Sequence, residues 1–222
     1  MKFNIAIDGP SAAGKSTIAR YLARKYNLIH LDTGAMYRAV ALKALREHAD
    51  VNEEDEIVNV LKNADISMDV NGQIFLNGEN ITSLIRTEEI SWNASTLSKH
   101  AKVRQDLVKR QQDIAKEKGY ILDGRDIGTV VLPDAEVKIF LTASSDARAK
   151  RRYQEYLEKG IEVNYEQVLN DIKQRDIQDS TRANSPLVIA EDGIEVDTSD
   201  LDIEEVIDKI NDIIKEKIEV NV

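Results

Sequence analysis

Gly9-Pro10-Ser11-Ala12-Ala13-Gly14-Lys15-Ser16, with Thr17 behind it, is the stretch of this chain with the clearest chemistry. It fits G-x-x-x-x-G-K-[ST], a loop that wraps a polyphosphate in backbone N–H groups. Neither Gly9 nor Gly14 carries a Cβ, so the backbone can come close to an anion. The N-terminus of a following helix adds partial positive charge. Lys15 is placed to reach the β- and γ-phosphates, and the Ser16 hydroxyl to ligate Mg²⁺. Gly9 through Thr17 are therefore the candidate nucleotide-binding residues.

Other charged residues fall in patterns that such a site can use. Gly119-Tyr120-Ile121-Leu122-Asp123 reads as a buried strand that delivers an Asp at its carboxyl end, followed by Gly124-Arg125-Asp126. That resembles the second metal-site element of phosphate-loop enzymes, with Asp123 acting on Mg²⁺ directly or through water. Arg125 and Asp126 then stand at the carboxyl end of the sheet, where open α/β folds bind ligands. Arg148, Lys150, Arg151 and Arg152 crowd a helix opened by Ser144-Ser145-Asp146. A solvated helix face is one explanation. The other is a mobile lid whose arginines neutralise charge on a transferring phosphoryl group. Asp32 or Thr33 can cap the helix that follows, or Thr33 and Arg38 can face a second ligand; the segment alone favours the cap. Arg104 lies beside an apolar stripe of Val103, Leu107, Val108, Gln111 and Ile114, within a helical pattern from Ser95 to Lys116. A solvated face and a functional role both suit it.

Positioning these residues requires an alternation of strands and helices. Phe3 to Asp8 is short, apolar and ends in a turn signal, as a buried strand should. Ile18, Tyr21, Leu22 and Tyr26 mark one stripe of the helix behind the loop. Further strands are expected at 27–32, 119–123, 136–142 and 194–197, which makes an α/β chain with a five-stranded parallel sheet. Ser199 and Asp202 suggest a capping box for a final helix carrying Ile203, Val206, Ile207, Ile210, Ile213 and Ile214. Residues 64–90 change character. Ile66 to Val70, Asn71-Gly72 and Gln73 to Leu76 read as a hairpin on a type I′ turn, with Ile81 to Ile85 as a third strand. Antiparallel hairpins do not belong inside a parallel sheet, so this region is expected to be an inserted lobe. Trp92, with no second aromatic beside it, reads as a packed anchor.

The whole chain bounds what these parts can do. Its 222 residues suffice for one large domain with insertions. A net charge of −10 argues against a general nucleic-acid or membrane-surface binder, so any polyanion must be held by a local basic cluster. With no cysteine, thiol nucleophiles, disulfides and zinc–thiolate sites are excluded. No signal-peptide pattern and no apolar run of spanning length is present, so a cytoplasmic location is the expectation and monomer the default state.

Taken in order, the phosphate loop, Leu31-Asp32-Thr33-Gly34-Ala35-Met36-Tyr37-Arg38, Val103-Arg104, Asp123 through Val131 and Arg175 through Arg182 resemble the bacterial cytidylate kinases. The resemblance spans nearly the whole chain, inserted lobe included. It implies a three-layer phosphate-loop NTPase fold with an antiparallel insertion and a helical lid. The core would comprise residues 1–38, 115–145 and 185–222, the monophosphate-binding region about 39–100, and the lid about 146–165. It also implies transfer of a phosphoryl group from ATP, with Mg²⁺, to CMP or dCMP. Acceptor residues then fall on Thr33, Arg38, Ser95, Arg104, Arg125, Asp126, Arg175, Asp179 and Arg182. Ser95, Arg104 and Asp126 would read the cytosine, Arg38 and Arg125 would hold the acceptor phosphate, and Arg175 and Asp179 would lie near the sugar. Lys15, Asp123, Arg125, Arg148, Arg151 and Arg152 would carry the catalysis. Thr33 stands where some relatives have Ser, which keeps the hydroxyl.

Three rival readings are weaker. Another small-acceptor kinase does not call for the lobe and the residues from Arg175 to Arg182. A GTP-dependent switch needs an Asn-Lys-x-Asp segment, which the chain lacks. A structural ATP binder does not need Arg125, Arg148, Arg151 and Arg152.

Overall fold

A computed structural model describes residues 2–69 and 71–219. Its main sheet contains β1 (Ile5–Asp8), β2 (Ile29–Asp32), β6 (Tyr120–Gly124), β7 (Val137–Thr142) and β8 (Ile194–Asp197). The strand order is β2-β6-β1-β7-β8, and every pairing is parallel. Central strands covered on both faces must be apolar throughout, and the burial of all four residues of β1 follows from that. Successive side chains point to opposite faces. Ile5, Ile7, Ile121, Ile139 and Leu141 pack on one side, against Ile18 and Leu22 of α1 (Lys15–Tyr26) and Ile207, Ile210 and Ile214 of α8 (Ile203–Glu219). Ala6, Leu31 and Leu122 face the other side, where α2 (Thr33–Arg46), α3 (Glu54–Lys62), α4 (Glu88–Leu97) and α5 (Ala101–Ala115) close the second layer. The expected three-layer fold with a five-stranded parallel sheet is therefore present.

The insertion is present too, as β3 (Ile66–Met68), β4 (Ile74–Leu76) and β5 (Glu79–Asn80) in an antiparallel sheet. Two of its details differ from expectation. Gly72 has a positive φ, 76°, but its N–H closes on the Asp69 carbonyl at 3.0 Å, which makes it the last residue of that turn, whereas an Asn-Gly type I′ turn holds both residues at its centre. The Asp69 carboxylate instead ties the bend by accepting from the N–H groups of Asn71 and Gln73; Val70 lies outside the described residues. The third strand precedes Ile81, because Ile81 and Ile85 are wholly buried and a 3₁₀ turn over Leu84–Arg86 follows. Ile74, Leu76, Ile81 and Ile85 join the apolar core beneath α2, so the small sheet and these helices share one core.

The helices correct the sequence reading at three other points. The pattern from Ser95 to Lys116 breaks into α4 and α5, with His100 extended between them. The buried face of α5 is Val103, Arg104, Leu107, Gln111 and Ala115, with Ile114 turned outward. The capping box of α8 is Asp202 with Glu205: Asp202 Oδ1 accepts from the Glu205 N–H and Glu205 Oε2 from the Asp202 N–H, both at 2.9 Å. Ser199 bonds Asp197 instead. Beyond the core, α6 (Ser145–Glu158) and α7 (Tyr165–Thr181) form a hairpin around a small cluster of Ala149, Val168 and Ile172. Among the described residues, no helix is long and apolar enough to cross a membrane.

Ile210 is fully buried between α8 and the sheet, whereas Ile177 on α7 is 63% exposed. Ile210→Ala should therefore cost about 2–5 kcal/mol of unfolding free energy. Ile177→Ala should stay within about 0.5 kcal/mol of the parent chain in the same urea titration.

Candidate active site

The phosphate loop leaves β1 under a tight steric constraint. A Cβ on Gly9 (φ 149°) would lie 1.9 Å from the Leu141 carbonyl oxygen of β7, so no other residue fits without moving the sheet. Gly14 has φ 89° and open space around its missing Cβ; there the backbone conformation, not contact, requires glycine. Asp8, at the end of β1, accepts from the N–H groups of Ile127 and Gly128 at 2.7 Å each. Those residues open a single π-helical turn over Ile127–Val131, which Asp8 thereby fastens to the loop's root. Burial lifts the Asp8 carboxyl to about 6 against these two donors.

Lys15 is buried and donates to the Pro10 carbonyl at 2.8 Å, curling back over the loop. Burial, reinforced by the Arg125 cation, brings its ammonium down to about 7. Ser16 Oγ donates to Asp123 Oδ2 at 2.7 Å. The two residues expected to serve Mg²⁺ are therefore adjacent, although they come from the first and the second half of the chain. The other carboxylate oxygen of Asp123 meets His30 Nε2 at 2.6 Å. His30 is a site residue that the sequence reading missed. It stands on β2 beside β6, and only the register of those two strands brings it to Asp123.

A cleft of about 230 Å³ opens over these groups, lined by the phosphate loop on one side and acceptor-side residues on the other. Thr33, Arg38, Ser95, Arg104, Arg125, Asp126, Arg175, Asp179 and Arg182 all line it. Thr33 Oγ1 donates to the Asp123 carbonyl at 2.7 Å. Asp32 does cap α2, through the Ala35 N–H, and its second oxygen holds Arg38 at 2.8 Å, so the cap and the cleft-lining position of Arg38 are compatible. Arg125 Nε donates to Asp179 at 2.7 Å. Arg104 is buried on α5 in an ion pair with Asp126, and its guanidinium lies 5.6 Å from the Tyr37 ring centroid. Ser95 Oγ accepts from Gln178 Nε2 at 2.6 Å, and Arg182 Nε donates to the Ser185 carbonyl.

The crowded arginines of α6 separate. Only Arg152 lines this cleft. Arg148 is buried and pairs with Asp176 of α7, while also donating to the carbonyls of Ala143 and Ser11. It braces the phosphate loop against the hairpin and does not face the cleft. Arg151 donates to Thr198 Oγ1 at 3.0 Å and borders a second cavity of about 270 Å³, behind Gly14 and Thr17. Trp92 is not a packed anchor: it is 39% exposed, with the Arg175 guanidinium 5.0 Å from its ring centroid.

A parallel sheet with a phosphate loop after its first strand and an arginine-lined cleft at its carboxyl ends defines a phosphate-loop kinase architecture. The shikimate kinase of Bacteroides thetaiotaomicron shares this fold, at a TM-score of 0.52 and 13% identity over 97% of this chain and 99% of that one. The cytidylate kinase family model matches residues 5–216. The cytidylate kinase of Caldicellulosiruptor saccharolyticus is 55% identical over 94% of each chain. That of Bacillus subtilis is 51% identical over 97% of this chain and 98% of its own. The chain belongs to the cytidylate kinase family.

The lowered Lys15 ammonium gives a test. An anion beside it favours the charged form, so binding raises its pKa, and above pH 7 binding must take up a proton. At pH 8, where a terminal phosphate is already ionised, metal-free ATP should take up close to one proton, ~1 per site, measured as a heat that depends on the buffer's ionisation enthalpy. Lys15→Arg, which stays charged, should show no uptake from this position.

Proposed function

We propose that this chain transfers the γ-phosphoryl group of ATP to CMP or dCMP, giving ADP and CDP or dCDP. The observation that carries the reading is the single cleft with a phosphate loop on one wall and Arg38, Arg104, Arg125, Arg175, Arg182 and Asp126 on the other. Two polyanions brought together repel, and only a concentration of fixed cations makes their approach favourable.

An oxygen of the acceptor phosphate attacks the γ-phosphorus, and the bond from that phosphorus to the bridging oxygen of ADP breaks. The attacking oxygen is already anionic, so the step needs no general base. Gly9 through Thr17 hold the ATP phosphates, with Lys15 at the transferring end. Arg38 and Arg125 hold the acceptor phosphate, and Arg152 is the α6 arginine that faces the transferring group. Arg175 and Asp179 lie toward the sugar. Ser95, Arg104 and Asp126 read the base. Cytosine presents an N4 donor where uracil presents an acceptor, so the Asp126 carboxylate favours cytosine. Arg104 occupies one oxygen of that carboxylate, which fixes its orientation.

The donor set suits Mg²⁺. Ser16 and Asp123 offer a hydroxyl and a carboxylate in contact with one another, and among the described residues no cluster of three His, Asp or Glu side chains stands ready as a metal cage. Magnesium typically takes few protein ligands and completes its shell with phosphate oxygens and water. Bound there with ATP, it supplies charge neutralisation at the phosphates.

ADP release measured with CMP, dCMP, UMP, AMP and GMP offered separately decides the acceptor. Turnover should be confined largely to CMP and dCMP. Lys15→Ala should lower it by about 10²–10³. Asp126→Asn should narrow the gap between CMP and UMP, and equal turnover of the two by the parent chain contradicts the base assignment.

A further inference from the structure

The arginines around the cleft are held in two ways. Arg38, Arg104, Arg125 and Arg148 are each paired with a carboxylate. Arg175 has no ion pair among the described residues. Its guanidinium lies over Trp92 of α4, 5.0 Å from the ring centroid, and one amino group donates to Ser91 Oγ at 3.1 Å. Its buried Nε has no hydrogen-bond partner. Burial holds its pKa below the usual arginine value, and the neighbouring Arg152 and Arg125 cations add to this. Gln178, also on α7, reaches Ser95 of α4 at 2.6 Å, so the two helices are fastened at two points.

We propose that Trp92 is a positioning residue for acceptor binding, ordering Arg175 with its ring face and leaving the cation's charge uncompensated. A long arginine side chain loses considerable freedom when a ligand fixes it. A carboxylate would order it in advance, but would also cancel its charge and compete with an incoming oxygen. An aromatic face attracts a guanidinium without occupying its in-plane donors. The stacked arginine therefore meets a nucleotide already oriented. Trp92 touches no reacting atom; it acts through Arg175. This inference rests on the acceptor reading given above.

Trp92 is the only tryptophan in the chain, so its emission reports the contact directly. Without ligand, the emission of the parent chain should differ from that of Arg175→Met. Trp92→Leu should raise the KM for CMP about three- to tenfold, as expected for losing a cation–π contact, with kcat and the KM for ATP within about twofold. Trp92→Phe, which keeps a ring face, should restore KM to within about twofold of the parent. An unchanged KM in Trp92→Leu, an equal loss in Trp92→Phe, or identical emission from the parent chain and Arg175→Met overturns the proposal. If another nucleoside monophosphate proves to be the acceptor, the same ratios are measured with it: the cytosine reading then falls, and the Trp92 reading is decided independently.

Discussion

Cations dense enough to hold a polyphosphate and a second phosphate side by side also repel one another. Most of this structure around the cleft answers that constraint. Each of Arg38, Arg104, Arg125 and Arg148 is matched by an aspartate, and each of those partners is fixed by its own place in the fold. Asp32 doubles as the cap of α2, and Asp126 leads into the π-helical turn. Asp179 sits near the end of α7. Burial pushes the Asp179 carboxyl upward, but the Arg125 cation and its hydrogen bond outweigh this and keep the pKa below the ordinary range. Buried pairs of this kind contribute little net stability, because desolvation offsets attraction. Here they hold positive charge in a defined array on a protein whose net charge is −10.

Asp123 joins that array to the phosphate loop. Its side chain accepts from Ser16 and meets His30, and its backbone carbonyl accepts from Thr33. One residue at the end of β6 thus collects contacts from α1, β2 and α2, each of which begins or ends at the carboxyl edge of the sheet. A carboxylate held by several partners has little freedom to turn, which is what an electrostatic site needs before its ligand arrives. The α6–α7 hairpin is built on a smaller apolar cluster and is tied to the loop through Arg148, so the arm above the cleft and the loop beneath it share a buried contact.

Much of this was legible in the sequence, for a physical reason. The phosphate loop, the strand delivering Asp123 and the amphipathic stripe of α8 depend on short-range geometry: a tight turn, alternation at period two, a stripe at period 3.6. The acceptor-side cleft residues were legible through the likeness of their motifs to a known family, since Arg38 and Arg175 stand inside their helices, where no local signal marks them. The errors fell where a local signal had more than one structural solution. Asn71-Gly72 suits several turns, and the carboxylate of Asp69 selected one of them. Ser199 and Asp202 are both good caps, and the start of α8 lies where Glu205 can answer. Arg104 shared a helix with solvated cations until the packing of α5 buried it against Asp126.

The sequence by itself therefore determined the layered α/β fold and the phosphate-binding loop, since both are encoded by residue type and spacing along the chain. Only the tertiary structure decided the pairings. His30 reaches Asp123 because β2 lies beside β6 in one particular register. Of three neighbouring arginines on α6, Arg148 and Arg151 turn to Asp176 and Thr198, and Arg152 to the cleft. Trp92 meets Arg175 because α4 and α7, far apart in sequence, reach one another at the cleft through their side chains. Charges and rings act over a few ångströms of space, and separation along the chain does not report that distance.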